Sequence, residues 1–314
     1  MTEKKLITIV GGCYNEAGNI EELYERCKKV FDKFPQYEYN FIFADNDSTD
    51  GTREIIRALA AKDKRVKAIF NAGNYGHIRS PFNAMLAADG DAMITMCTDL
   101  QDPPELIENF INEWEKGYKV VIGVRDSTKC SFILELIRRF YYYLLAKFAP
   151  EEKIISGFTG YGLYDRQFMD ALKKFHEPYP YFRGLVSQIG LRRKELPFKQ
   201  PERKRGKTKN NFFTLFDMAM TGFVNHTKLP LRMAFFAGMI IAFFSIIIAL
   251  GYLIMKFMFW DTFSLGMAPL MIGLFFFSAV QLIFIGIVGE YLGAVWTQVK
   301  NRPLVIEEER INFD

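Results

Sequence analysis

A chain of 314 residues is long enough for one large domain or two smaller ones, and a formal net charge of only +4, from 40 Lys and Arg against 36 Asp and Glu, does not mark a nucleic-acid-binding protein. The four cysteines, Cys13, Cys27, Cys97 and Cys130, show no C-x-x-C spacing and histidine is scarce, which argues against a zinc site and a disulfide scaffold and fits a reducing, cytoplasmic setting. The N-terminal stretch to Gly12 carries lysines and a short apolar run without a signal-peptide core.

The first β-rich run, Leu6 to Val10, breaks at Gly11 and Gly12 before a helix with apolar Ile20, Leu23, Cys27 and Phe31 at helical spacing. The unit repeats. Tyr39 to Ala44 reads as a strand, the acidic stretch from Asp45 to Thr52 as its loop, and Ile55, Ile56 and Leu59 as one face of the next helix. A third strand, Val66 to Phe70, leads into a Gly- and Asn-rich loop, Asn71 to His77, and a helix near Phe82 to Ala88. A fourth apolar run, Ala92 to Met96, delivers Asp99 and Gln101 just past its end. Asp102 can cap the following helix, Pro104 to Lys116, and Pro103 fits its first turn. A fifth strand spans Lys119 to Val124. Strands alternating with helices of this length argue for an α/β domain with a mostly parallel sheet covered on both faces. Ligands belong at the strand C-termini of such sheets, where all three acidic loops fall.

The segment Ser131 to Phe148 is apolar except for a stripe of Glu135, Arg138 and Arg139, and suits a core helix or one lying in a membrane interface. Gly157 to Arg166 reads as a loop plus a short strand. Basic residues crowd from Arg192 to Lys209, as a solvated loop or as a site for phosphate or anionic lipid. A second amphipathic stretch, Phe212 to Val224, leads to Pro230. Met233 to Met255 and Thr262 to Gly289 then run without a charge, each exceeding the roughly 20 apolar residues that span a bilayer. The short link, Lys256 to Asp261, makes them a hairpin. Lys228 and Arg232 precede the pair and Lys300 and Arg302 follow it, so the positive-inside rule puts both chain ends in the cytoplasm and the protein in the plasma membrane as a multi-pass protein. Gln281 is explained by packing between the helices. The expected organisation is a catalytic domain over 1–210, an interfacial segment over 211–230, a transmembrane hairpin over 231–293 and a cytoplasmic tail over 294–314.

Neither a P-loop nor a G-x-G-x-x-G follows any strand. Tyr14-Asn15-Glu16, Asp45 through Thr52, Asn74 through His77, Asp99 through Glu105, Gly162 through Arg166, Arg183-Gly184 and Gly206 through Lys209 resemble, in order, the motifs of family 2 glycosyltransferases. The match is to the polyprenyl-phosphate branch, which includes bactoprenol glucosyltransferases and dolichol-phosphate mannose synthases. The resemblance implies a GT-A, Rossmann-like fold that binds a nucleotide sugar with Mg²⁺ or Mn²⁺ and transfers a hexose, with inversion, to polyprenyl phosphate at the cytoplasmic membrane face. UDP-linked glucose is the donor expected by resemblance alone, and undecaprenyl phosphate a suitable acceptor. By the same resemblance Tyr14, Glu16 and Asp45 line base and ribose, Asp99 and Gln101 hold metal and diphosphate, and Arg183, Arg203, Lys207 and Lys209 face phosphates. Asp99, Arg203 and Lys209 are the residues it places at the chemistry.

Three positions depart from the pattern. Cys97-Thr98-Asp99 stands where Asp-x-Asp is usual, Asp45-Asn46-Asp47-Ser48 where Asp-Asp-Gly-Ser is usual, and Thr159-Gly160-Tyr161 where many relatives carry Gly-Asp-Phe. An alternative therefore stays open: a weak or inactive homologue that binds nucleotide sugar or lipid as a membrane partner. A processive polysaccharide synthase does not fit, because two spans do not readily enclose a channel and no Q-x-x-R-W sequence occurs. A homo-oligomer is left open.

Overall fold

A computed structural model describes residues 4–126, 155, 157–201, 229–259, 267–300 and 302–313. The chain divides into two compact units, Met1–Asn210 with Asn301–Asp314, and Asn211–Lys300.

The first unit is built on one eight-stranded sheet. Its strands are β1 (Lys5–Cys13), β2 (Tyr37–Asp45), β3 (Val66–Asn71), β4 (Ala92–Cys97), β5 (Val120–Arg125), β6 (Phe158–Asp165), β7 (Arg193–Phe198) and β8 (Glu307–Ile311). They lie in the order β7-β5-β6-β4-β1-β2-β3-β8. β1 pairs in parallel with both β2 and β4, β2 with β3, and β5 with β7, while β6 runs antiparallel between β4 and β5 and β8 antiparallel along β3.

Both faces of the sheet are buried, which explains why its strands read as apolar runs and not as an alternation. Ile7, Ile9, Phe41, Phe43 and Ile94 point to one face, with α1 (Ala17–Phe31), α2 (Thr52–Lys62) and α4 (Ile107–Glu115) supplying Ile20, Leu23, Ile56 and Phe110. Val10, Ile42, Ala44 and Met93 point to the other, against Phe82 of α3 (Gly76–Leu86), Phe168 of α5 (Arg166–Leu172) and Leu185 of α6 (Phe182–Ile189). Truncating a fully buried ring such as Phe110 to Ala would cost about 3–5 kcal/mol. The approach of α3 to β1 depends on Gly12, where a Cβ would lie 2.7 Å from the Pro81 ring. That contact sets the middle of α3 against the end of β1.

Several expectations are corrected. Asp102 does not cap a helix: a 3₁₀ turn opens at Pro104, with Pro103 as its N-cap, and α4 begins at Ile107. α3 begins at Gly76, inside the expected loop, and runs through Pro81. Part of the basic run, Arg193–Phe198, is strand β7. Residues 307–311 of the expected tail form β8 in the sheet.

The second unit contains α7 (Leu229–Met258) and α8 (Met267–Val299), which meet where Gly238 lies against Phe284. Their stretches Leu231–Met258 and Ile272–Val299 are long and apolar enough to cross a membrane, and neither is buried by protein. Each has 28 residues and is about 42 Å long at helical rise, against a hydrocarbon core of about 30 Å. Lys256 belongs to the last turn of α7 and not to the link. The expected helix at 131–148 and the amphipathic stretch at 212–224 lie outside the described residues.

Candidate active site

The strand order reverses between β1 and β4, the place where an open α/β sheet leaves a crevice past its strand ends. Across that edge Cys13 is in register with Asp45, and Gly12 with Cys97. The loops after β1, β2 and β4 therefore start side by side.

The first two loops are tied to each other. Asn15, in the left-handed region at φ 58°, donates its N–H to Ser48 Oγ at 2.9 Å and accepts the Thr49 N–H through Oδ1 at 2.8 Å. Glu16 N–H donates to Thr52 Oγ1 at 2.9 Å, and Ala17 N–H to Asp50 at 3.1 Å. Tyr14 is half-buried above them. At the end of β2, Asp45 is fully buried. Its Oδ2 accepts from Arg53 Nε at 2.7 Å and from Ser48 N at 3.1 Å, whereas Oδ1 has no hydrogen-bond partner among the described residues. Asn46 joins this loop to the start of α3, accepting the Tyr75 N–H at 2.9 Å and donating to Asn74 Oδ1 at 2.8 Å.

Past β4 the backbone turns sharply, with Leu100 at φ 62°. Thr98 Oγ1 fastens the turn to Gly12 O at 2.9 Å, and Asp99 Oδ1 accepts the Gln101 N–H at 3.1 Å. Asp102 folds back to accept the Cys97 N–H at 2.8 Å through Oδ2, and its Oδ1 has no partner among the described residues. Burial first, and then the charge of Asp99, push the Asp102 carboxyl up to about 6, with the Cys97 N–H opposing. The Cys97 thiol is pushed above the usual cysteine range. Cys97 is solvent-exposed, so the charge of Asp102, the largest cause, explains this better than burial. A thiol kept protonated is a poor ligand for a hard cation.

Opposite these carboxylates stands a basic side. Arg125 ends β5, and its Nε is buried without a partner among the described residues. Burial lowers its pKa, while the charges of Asp102, Cys97 and Asp99 act the other way. Arg183, at the start of α6, is within electrostatic reach of Arg125 and of His77. His77 is held below the usual histidine range, first by burial and then by Arg183, so its imidazole is neutral at pH 7.

Tyr14, Glu16, Asp45, Asp99 and Gln101 thus sit on adjoining loops of one edge, and Arg183 is linked to that edge only by its electrostatic reach to Arg125 and His77. Arg203, Lys207 and Lys209 lie outside the described residues. Arg125 was not among the expected site residues, although the rule that ligands gather at strand ends would have found it had β5 been extended by one residue. Asp165 is far from this edge in the sheet: it closes β6 opposite Ala92, the first residue of β4.

No group of three His, Cys, Asp or Glu that could hold a metal ion occurs among the described residues. The site nonetheless fits a hard divalent cation held in part by its substrate. Asp99 and Gln101 offer oxygen ligands, and the charge of Asp99 helps to raise the neighbouring Asp102 carboxyl. Mg²⁺ is commonly held by one or two carboxylates with substrate phosphates and water completing the shell.

Residues 8–173 match the family described as Glycosyl transferase family 2. The chain is similar to an uncharacterized glycosyltransferase, YkcC, of Bacillus subtilis (strain 168), 33% identical over 98% of this chain and 94% of the relative. It is 31% identical to another, sll0501 of Synechocystis sp., over 96% and 94% of the two chains. It is also 29% identical to the bactoprenol glucosyl transferase of Shigella phage SfII, over 96% of each.

Proposed function

The chain belongs to glycosyl transferase family 2, and from that premise we propose that it is an inverting GT-A enzyme that moves a hexose from a nucleotide sugar to polyprenyl phosphate at the cytoplasmic face of a membrane. The observation that carries this reading is the acidic turn, Asp99 to Asp102, past the end of β4 at the β1/β4 crevice, within electrostatic reach of Arg125 at the end of β5, in a chain that continues into two helices of membrane-crossing length. Glucose as the sugar and UDP as its carrier follow from the relative named a bactoprenol glucosyl transferase and from the motif resemblance.

In this reading Tyr14 and Glu16 contact base and ribose, and the bare Oδ1 of Asp45 accepts a nucleobase N–H. Asp99 and Gln101 are the residues that would hold Mg²⁺ or Mn²⁺, and the cation would supply charge neutralisation for the leaving diphosphate. Arg125 and Arg183, joined by Arg203, Lys207 and Lys209, orient the phosphates and offset repulsion between two anionic substrates. A phosphate oxygen of the lipid attacks the anomeric carbon as the bond from that carbon to the diphosphate breaks. A phosphate monoester with a second pKa of about 6 is mostly a dianion at neutral pH, so no side chain has to remove a proton.

The organisation that goes with this is a catalytic domain over 1–210, a membrane-interface segment over 211–230, a transmembrane hairpin over 231–293, and cytoplasmic ends. The thiol in place of a carboxylate at Cys97 favours a second reading, a nucleotide-sugar-binding partner without turnover. The test is a screen of labelled nucleotide sugars with the purified full chain, Mg²⁺ and undecaprenyl phosphate. Label entering the lipid supports the enzyme, and nucleotide binding without transfer supports the partner.

A further inference from the structure

One arginine joins the carboxylate at the end of β2 to the strand that follows the second apolar helix. Arg53 is only 19% exposed and spreads its guanidinium over three elements. Nε holds Asp45 Oδ2 at 2.7 Å, Nη2 donates to the carbonyl of Asn71 at the end of β3, and Nη1 meets Glu308 Oε2 of β8 at 2.9 Å. The Phe70 ring lies beneath, 5.6 Å from the guanidinium carbon. Arg53 therefore fixes which oxygen of Asp45 is occupied and which is left bare.

β8 is held by further contacts that do not reach Asp45. Arg57 grips Glu309 through both terminal nitrogens, and Asn312 donates to the carbonyls of Ala60 and Val66. Docking of the strand is thus separable from the pull of Glu308 on Arg53. The Arg53 fork is aimed by Asp45 and Glu308, with Asp47 Oδ1 farther off at 3.8 Å from Nη2, and loss of Glu308 lets it rotate toward the partners that remain.

We propose that Glu308 and Arg53 are positioning residues for Asp45, so that the strand returning from the second apolar helix sets the affinity of the nucleotide donor. This rests on the reading of Asp45 as a donor contact. Among the described residues Glu308 hydrogen-bonds to Arg53 and to none of the candidate site residues, so it acts on Asp45 through Arg53.

The experiment measures binding of UDP and of GDP by calorimetry to the full chain in detergent, for the unsubstituted protein, Glu308→Ala, Glu309→Ala, Arg53→Gln and the double variant Glu308→Ala/Arg53→Gln. Glu308 is 56% exposed, so its removal leaves the fold in place. Glu308→Ala should weaken nucleotide binding about threefold, the scale of a partly exposed ion pair. Arg53→Gln should weaken it more than about tenfold by stranding a buried carboxylate. Glu309→Ala should bind as the unsubstituted protein does, and Glu308→Ala should add nothing once Arg53 is gone. Equal weakening by Glu308→Ala and Glu309→Ala, or none by either, overturns the inference while leaving the donor site intact. Failure of the unsubstituted protein to bind either nucleotide overturns the donor reading of Asp45, and this inference with it.

Discussion

Asp102 accepts the backbone N–H of Cys97 at 2.8 Å, closing the turn that carries Asp99 and Gln101. The carboxylate three residues past Asp99 thus braces the strand end, and its charge pushes the Cys97 thiol beside it above the usual cysteine range. Asp102→Ala would strip a buried N–H of its acceptor and should destabilise the protein by about 1–3 kcal/mol. Cys97→Ser should leave transfer within about twofold, as substitutions away from special contacts do. Thermal unfolding and initial rates of the two variants check both statements. If Cys97→Ser stopped transfer in a folded protein, the thiol would have a role in the reaction.

Asp165 is a structural anchor. It accepts from Trp114 Nε1 at 2.8 Å, Lys119 Nζ at 3.1 Å and Gln167 N at 3.0 Å. Gly160, where many family members carry a carboxylate by the resemblance, has φ +107°, a conformation that other residues rarely adopt. Gly160 has no side chain to act as a base, and the proposed reaction asks none of Asp165. Asp165→Asn should lower stability by about 1–3 kcal/mol and leave kcat within about twofold. Loss of kcat in the folded variant, restored by added formate, would show that Asp165 moves a proton.

Asp63 gives a pH signature outside the site. Its hydrogen bonds from Arg65 lead the causes that lower its carboxyl to about 2 from an ordinary 3.8, and Tyr24 adds another. The folded state therefore prefers the ionised form. The stability this contributes is complete above the unfolded value and is lost as pH falls through the folded one. Melting temperatures of the unsubstituted protein and Asp63→Asn should converge as pH is lowered from about 5 to about 2. Parallel curves over that range would contradict the assignment.

Orientation is tested by cysteine labelling in a background without native cysteines. Lys228, Arg232, Lys300 and Arg302 flank the apolar pair, and the proposed orientation, with both ends in the cytoplasm, rests on them. A membrane-impermeant thiol reagent added outside sealed cells should mark Thr262→Cys and spare Ile306→Cys. Labelling of Ile306→Cys would reverse the orientation.

The parallel core was legible because β1 to β4 are buried on both faces and read as apolar runs between loops rich in Gly, Asn and Asp. The start of α3 was not, because Pro81 in its interior looks like a helix boundary, and only the close fit of its ring on Gly12 shows the helix running through. β7 and β8 escaped notice for a different reason. Arg193 to Phe198 and Glu307 to Ile311 lie at the two edges of the sheet, carry charge, and become strands through pairing with β5 and β3. The acidic side of the site was visible in the spacing of Asp99 and Gln101. The basic side at Arg125 depended on knowing where β5 ends, and the link from Arg53 to Glu308 depended on contacts 255 residues apart in the chain.

The central claim is that Asp99 anchors a metal-assisted transfer of a sugar to a lipid phosphate. The direct measurement is initial-rate transfer of labelled hexose from UDP-glucose to undecaprenyl phosphate by the full chain in lipid nanodiscs, with and without Mg²⁺, for the unsubstituted protein and Asp99→Asn. The account predicts product only with the cation present, and a fall of at least about a hundredfold on substitution, the scale of losing one focused electrostatic contact in a transition state. Transfer by Asp99→Asn at the unsubstituted rate, with the same dependence on Mg²⁺, would contradict it.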